Sequence, residues 1–126
     1  MNPPAMRVSA TVLGSPDPRR LATFYERLLG WRRVADEAGW VMLRPPEGGT
    51  GLSFQVEDAY EAPVWPPEAG RQQMMAHLDV GVDDLAAGVA WACELGATLS
   101  TRQPQDEVRV LLDPDGHPFC LFPIGG

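Results

Sequence analysis

His77 and Asp79 are the pair in this chain best placed to do chemistry. They stand two residues apart in the segment Met75–Val82, whose apolar alternation predicts a strand. Side chains two apart on a strand share a face, so an imidazole and a carboxylate lie side by side. A carboxylate in that place can orient an imidazole and tune its basicity, the arrangement of a general base with its partner. The same two residues also read as a core histidine satisfied by its neighbour. A thiol, Cys120, lies on a strand near the C-terminus, and Ser53 and Gln55 put a hydroxyl and an amide on an earlier one. About 67 residues before His77 stands Ala10, which can neither bind a metal nor move a proton.

These residues need elements to hold them. Residues 7–14 predict a first strand. Ser15-Pro16-Asp17-Pro18 is a helix start, with Asp17 as cap and Pro18 at the first helical position. Leu21, Phe24, Tyr25 and Leu28 form one apolar stripe, and Gly30 ends the helix. Arg19 and Arg20 stand at the end of the helix that disfavours cations. Three strands are predicted next, at Trp31–Ala35, Trp40–Arg44 and Gly51–Val56. Residues 58–73 form a proline-rich linker in which Trp65-Pro66-Pro67 is expected to fold back over something apolar. The pattern then recurs. Met75–Val82 is a strand, and Asp83 or Asp84 caps a helix with the stripe Leu85, Val89, Ala92 and Cys93. Gly96 ends it, and strands follow at Thr98–Thr101, Glu107–Leu112 and Pro118–Phe122. Asp17 to Gly30 and Asp83 to Gly96 are both separations of 13 residues.

The expected fold is therefore α+β: two paired β-α-β-β-β modules, at about 7–57 and 74–123, within a single domain spanning 1–126. Neither half alone buries a good core. Pairing them predicts a curved eight-stranded sheet around a cleft, with the helices outside. Alternation puts His77, Asp79 and Gly81 on the cleft face, joined by Ala10, Ser53, Gln55 and Cys120.

Composition narrows the function. The chain carries 10 basic residues, all arginine, against 17 acidic ones, for a net charge of −7. That balance argues against a nucleic-acid partner. No apolar run approaches the roughly 20 residues of a membrane span. The N-terminus does not read as a signal peptide, so a cytoplasmic address is expected. Cys93 and Cys120 make no metal-binding pair by spacing; Cys93 is expected to be buried on the helix stripe. Trp40, Tyr60 and Trp65 are candidates for an aromatic pocket or for core. Arg44 and Arg109 are candidates for binding an anion or for facing solvent. His117 reads as a surface turn residue.

Three stretches together resemble the vicinal oxygen chelate superfamily, which includes glyoxalase I, extradiol dioxygenases and bleomycin-resistance proteins. They are Ser15-Pro16-Asp17-Pro18 with Phe24-Tyr25-Glu26-Arg27-Leu28-Leu29-Gly30-Trp31, then His77 to Leu85, then Leu112-Asp113-Pro114-Asp115-Gly116-His117-Pro118-Phe119. The Trp65-Pro66 linker and the His-Leu-Asp strand resemble those of small glyoxalase-like domains. The resemblance implies a metal held by one residue from the first and last strand of each module, here Ala10, Gln55, His77 and Cys120. Ala10 breaks that set, and Cys120 stands where a glutamate is usual. The resemblance then implies a protein that binds a small organic molecule in the inter-module cleft without the complete metal site. The alternative is a lyase, isomerase or dioxygenase-type enzyme using His77, with Asp79 orienting it, and either metal-free or with Zn, Ni, Mn or Fe as the divalent metal. Trp40, Trp65, Ser53, Gln55, Cys120 and Arg109 are the candidate ligand-binding residues, and a homodimer is expected.

Overall fold

Two aspartates set the frame. The Asp17 carboxylate accepts a hydrogen bond from the Arg20 amide at 3.3 Å. Asp84, rather than Asp83, does the same for the Ala87 amide at 3.0 Å. Each satisfies an amide that the first turn of a helix leaves without a partner. In the computed structural model of the chain, which describes residues 2–125, α1 runs Pro18–Leu29 and α2 runs Leu85–Leu95. Gly30 ends α1 at φ 70° and Gly96 ends α2 at φ 120°, backbone conformations that side-chain-bearing residues rarely adopt.

The strands are β1 (Ala10–Ser15), β2 (Arg32–Glu37), β3 (Trp40–Arg44), β4 (Gly51–Val56), β5 (Leu78–Val82), β6 (Thr98–Leu99), β7 (Arg109–Leu112) and β8 (Pro118–Pro123). They form two four-stranded sheets, ordered β1-β4-β3-β2 and β5-β8-β7-β6. The chain divides into two compact units, the first ending at Tyr60 and the second beginning at Glu61. Each unit is one β-α-β-β-β module, so the fold is α+β as the sequence predicts. In each sheet the first and last strands pair in parallel and the other pairs are antiparallel.

In the first unit α1 buries Leu21, Phe24 and Tyr25, and Tyr25 stacks on Phe54 with ring centroids 5.7 Å apart. Val41 and Leu43 complete this core, each such side chain contributing about 1.5–3 kcal/mol. Arg19, unexplained by the helix pattern, donates from Nε to Asp36 of β2 at 3.0 Å. That partner, first among the causes, holds the Asp36 carboxyl below its usual pKa. In the second unit Leu111, Phe119, Leu121 and Ala92 are buried.

Several boundaries move for identifiable reasons. The segment predicted as Met75–Val82 pairs only from Leu78, after His77. In the first unit the Gly51 amide donates to the Ser9 carbonyl at 2.9 Å, extending the pairing backward. Pro118 holds the equivalent position in the second unit and has no amide to donate. Strand β6 stops at Leu99 because the Gln103 side chain takes over its pairing. The Gln103 amide donates to the carbonyls of Ser100 and Val110, and its oxygen accepts from the Val110 amide. Strand β7 begins at Arg109 rather than Glu107, with the Arg109 guanidinium donating to the Asp106 and Val108 carbonyls at 2.8 and 3.0 Å. Strand β2 runs on to Glu37 with a bulge between Arg33 and Ala35.

Cys93 is exposed, not buried. A Cβ on Gly88 would lie 3.0 Å from Val82 Cγ2, so α2 approaches its sheet along the line of Gly88 and Ala92. Cys93, one residue further round the helix, is turned outward. Gly88→Leu should therefore cost about 1–3 kcal/mol by overpacking. Ala86→Leu, at an exposed position of the same helix, should stay within about 0.5 kcal/mol. Urea unfolding of the two variants checks the difference.

Candidate functional site

The parallel pairing of β5 with β8 sets Asp79 opposite Cys120. Val82 and Leu121 both lie against Gly88 of α2, so period-two alternation puts Asp79 and Cys120 on the sheet face away from the helix. His77, two residues before Asp79, joins them. An imidazole nitrogen, a carboxylate oxygen and the Cys120 sulfur all lie within 4.8 Å of one another. His77 Nε2 is 3.1 Å from Asp79 Oδ1. The Asp79 side chain is 63% exposed and that of His77 27%, whereas Cys120 is 5% exposed. The thiol thus forms the floor of the cluster and the carboxylate its rim.

Burial first, and then the charge and hydrogen bonding of the adjacent Asp79 carboxylate, push the Cys120 thiol above its ordinary pKa. Cys120 is therefore a protonated thiol at neutral pH, a poor nucleophile without help.

The linker supplies a cover for His77. Glu61 pairs with Arg71 at 3.3 Å and also accepts from the Gln72 amide, and the Val64 amide donates to the Gln72 carbonyl at 2.8 Å. These bonds close residues 61–72 into a loop. Trp65 of that loop, whose bond to Pro66 is cis, stacks on the His77 imidazole with ring centroids 5.0 Å apart and planes 27° apart. The fold-back of Trp65 is legible in its prolines; that its target is the imidazole is not.

The first unit shows what the cluster lacks there. At an offset of 67 residues, β4 maps onto β8 end to end. Val12 pairs with Ser53 as Asp79 pairs with Cys120. Ser53 is thus the counterpart of Cys120, Val12 that of Asp79, and Ala10 that of His77. Gln55 corresponds to Phe122; it is exposed, and its Nε2 donates to Glu57 Oε1 at 2.9 Å. Trp40 pairs with Gln55 across β3 and β4, and Ser53 is buried opposite Met42. Arg109 pairs with Leu121, which faces α2, so it does not join the cluster.

His117 is not a surface turn residue. Its side chain is 14% exposed, and Nδ1 lies 2.8 Å from Oδ2 of the fully buried Asp113 carboxylate. Asp113 Oδ1 also accepts from the amides of Asp115 and His117. This pair builds the turn that leads into β8. The signal for it was the aspartate four residues before the histidine in a Gly-containing turn.

Among the described residues, His77, Asp79 and Cys120 form the one group of three or more His, Cys, Asp or Glu side chains close enough to share a metal ion. They fit a metal of zinc type, since imidazole, thiolate and carboxylate are three of the ligands a tetrahedral site uses. The thiolate favours zinc over manganese. A metal there would act as a Lewis acid and would take the Cys120 proton as the price of binding.

Thiol chemistry tests the arrangement. Iodoacetamide should modify exposed Cys93 well before Cys120 at pH 7–8 (about one unit below a free thiol's usual pKa). Asp79→Asn should speed Cys120 alkylation several-fold by removing the neighbouring negative charge. Mass spectrometry of the two peptides reads both rates, and equal rates in the native protein would contradict the geometry. Because the folded state holds the Cys120 proton more tightly than the unfolded chain, its contribution to stability is complete below the unfolded thiol's pKa. That contribution is lost as pH rises through the folded one.

The comparisons with known proteins agree with this architecture. A glyoxalase/bleomycin resistance protein/dioxygenase family enzyme from Burkholderia phytofirmans PsJN superposes with a TM-score of 0.71 at 20% identity, covering 93% of this chain and 98% of that one. A glyoxalase/bleomycin resistance protein from Albidiferax ferrireducens T118 gives 0.66 at 19% identity over 93% and 98% of the two chains. An antibiotic-binding protein from Streptomyces sp. CB03234 gives 0.61 at 20% identity, covering 97% and 98%. At these identities the likeness is one of fold. No curated protein matches the sequence significantly. The sequence profile of the glyoxalase-like domain matches residues 10–122, nearly the whole chain, and the protein belongs to that family, within the vicinal oxygen chelate superfamily.

Proposed function

We propose that this protein binds a small organic molecule against the β5–β8 face, at His77, Asp79 and Cys120. The observation that carries the reading is the convergence of imidazole, carboxylate and thiol within 4.8 Å on one sheet face, with the Trp65 ring laid on the imidazole. An aromatic plane beside a few convergent polar groups is the usual make-up of a small-molecule site. The antibiotic-binding protein from Streptomyces sp. CB03234 supports the reading by fold, since a similar scaffold there serves binding. The carboxylate rim and the net charge of −7 favour a ligand with a cationic or hydrogen-bond-donating group. A homodimer and a cytoplasmic address remain part of the proposal, the first read by light scattering.

A second reading rests on the same residues. Asp79 Oδ1 is close enough to Nε2 to accept its proton in a hydrogen bond, which leaves Nδ1 as the basic nitrogen of His77. His77 would then abstract a proton from substrate with Asp79 orienting the ring. A zinc-type ion on the three donors would serve as the Lewis acid of the same lyase or isomerase chemistry.

A panel of small organic cations and neutral aromatics, followed by thermal unfolding, tests the first reading. A ligand present at 100 times its Kd should add about 2.7 kcal/mol of stability. The stabilisation should be lost in His77→Ala and reduced in Trp65→Ala, with both variants folded by circular dichroism. A panel with no stabilising member, or stabilisation unchanged in His77→Ala, would contradict it. Metal analysis and titration with Zn²⁺, Ni²⁺, Mn²⁺ and Fe²⁺ test the second. There, Co²⁺ should give a thiolate charge-transfer band that Cys120→Ser abolishes, and its absence in the native protein would remove the metal route.

A further inference from the structure

The first unit holds a concentration of positive charge that the proposed site does not use. At the C-terminal end of α1 lies an open groove of about 670 Å³. Arg32, Arg33 and Arg44 line it, and Glu26 is the one acidic residue among its lining. Three of the ten arginines of a chain with net charge −7 thus share one depression.

Their environment is not one of mutual neutralisation. Arg32 and Arg44 are partners in the β2–β3 register, but the Arg44 side chain runs the other way, over Gly51 of β4, so Arg32 stands without a counter-charge or a neighbouring fork. Among the described residues the Arg44 guanidinium donates to Ser9 alone, from Nη1 to the carbonyl at 2.9 Å and from Nη2 to the hydroxyl at 3.1 Å. Both acceptors are neutral, so its charge is uncompensated. The Arg32 residue is exposed, and its side chain makes no hydrogen bond or ion pair among the described residues. Arg33 is the best tied, to Glu26 and Asp36 at 3.3 Å each, yet its Nε is buried without a hydrogen-bond partner among the described residues. Buried donors are nearly always satisfied, and an exception calls for an explanation.

The remaining walls are flat and apolar. Trp31 follows the glycine that ends α1, and Pro45-Pro46 follow Arg44 at the end of β3. An aromatic plane and two proline rings suit a flat hydrocarbon body, and guanidinium forks suit a planar oxyanion. The volume lies within the roughly 300–1,000 Å³ of small-molecule sites.

We infer that this groove is a second binding site, for a small aromatic oxyanion: its carboxylate meets Arg32, and its ring meets Trp31 and Pro45-Pro46. None of its lining residues belongs to the His77–Asp79–Cys120 cluster, so the two sites stand or fall separately.

Sodium benzoate is the first probe, titrated at constant ionic strength and followed by two-dimensional NMR on the intact protein. Acetate supplies the charge without the ring, benzamide the ring without the charge, and phenyl phosphate a different oxyanion on the same ring. Benzoate should bind saturably and shift the Trp31 indole resonance, assigned through Trp31→Phe. Acetate and benzamide should each bind about tenfold more weakly or worse. Phenyl phosphate in place of benzoate as the tighter ligand would leave the site standing and name its anion. Arg32→Ala removes an exposed, unpartnered side chain, so the variant should fold, and its benzoate affinity should fall about tenfold. Benzamide binding as well as benzoate, an unchanged affinity in Arg32→Ala, shifts confined to residues outside the groove, or no saturation by about 10 mM would each overturn the inference.

Discussion

The parallel pairing of the first and last strands of each unit is the constraint on which the rest depends. Parallel partners cannot be joined by a tight turn and need a long crossover, which here consists of a helix and two further strands. That long connection brings Asp79 and Cys120, 41 residues apart in sequence, to directly opposed positions. It also decides faces. With Leu121 and Val82 committed to α2, Cys120 and Asp79 have only the other side available. A slip of one residue would bury the carboxylate against the helix and expose the core, so the register that makes the core also makes the site.

The two units use one pattern for different ends. Their caps, helix lengths and parallel registers correspond, yet Ala10, Val12 and Ser53 stand where the second unit has His77, Asp79 and Cys120. The titratable chemistry of the strand pair is therefore confined to one unit. The first unit instead gathers its charge at the sheet edge, where Arg32 and Arg44 are partners in the β2–β3 register. An overall negative charge says nothing of such a local excess.

Much of the frame was legible in the sequence, because it is written in local signals. Asp17, Pro18 and Gly30 mark α1, and the matching aspartate and glycine mark α2. Strands β3 and β4 fall where alternation and turns put them. The face shared by His77 and Asp79 follows from counting by two. What was not legible depended on partners distant in sequence. Pro118 shortens β5 by withholding an amide that only the pairing reveals. Gln103 replaces a strand partner with its own side chain. Arg19 finds Asp36 only once β2 lies beside α1. Cys93 reads as buried on a helical wheel, but Gly88 decides which line of that wheel meets the sheet. Gln55 reads as the equivalent of Cys120, and the register gives that place to Ser53.

The central claim is that ligand chemistry resides on the β5–β8 face of the second unit. The most direct measurement is backbone and indole NMR mapping with the first compound that stabilises the protein. The largest shifts should fall on Leu78–Val82, on Pro118–Pro123 and on the Trp65 indole that covers His77. A saturating ligand that leaves these strands and that indole unmoved would contradict the account.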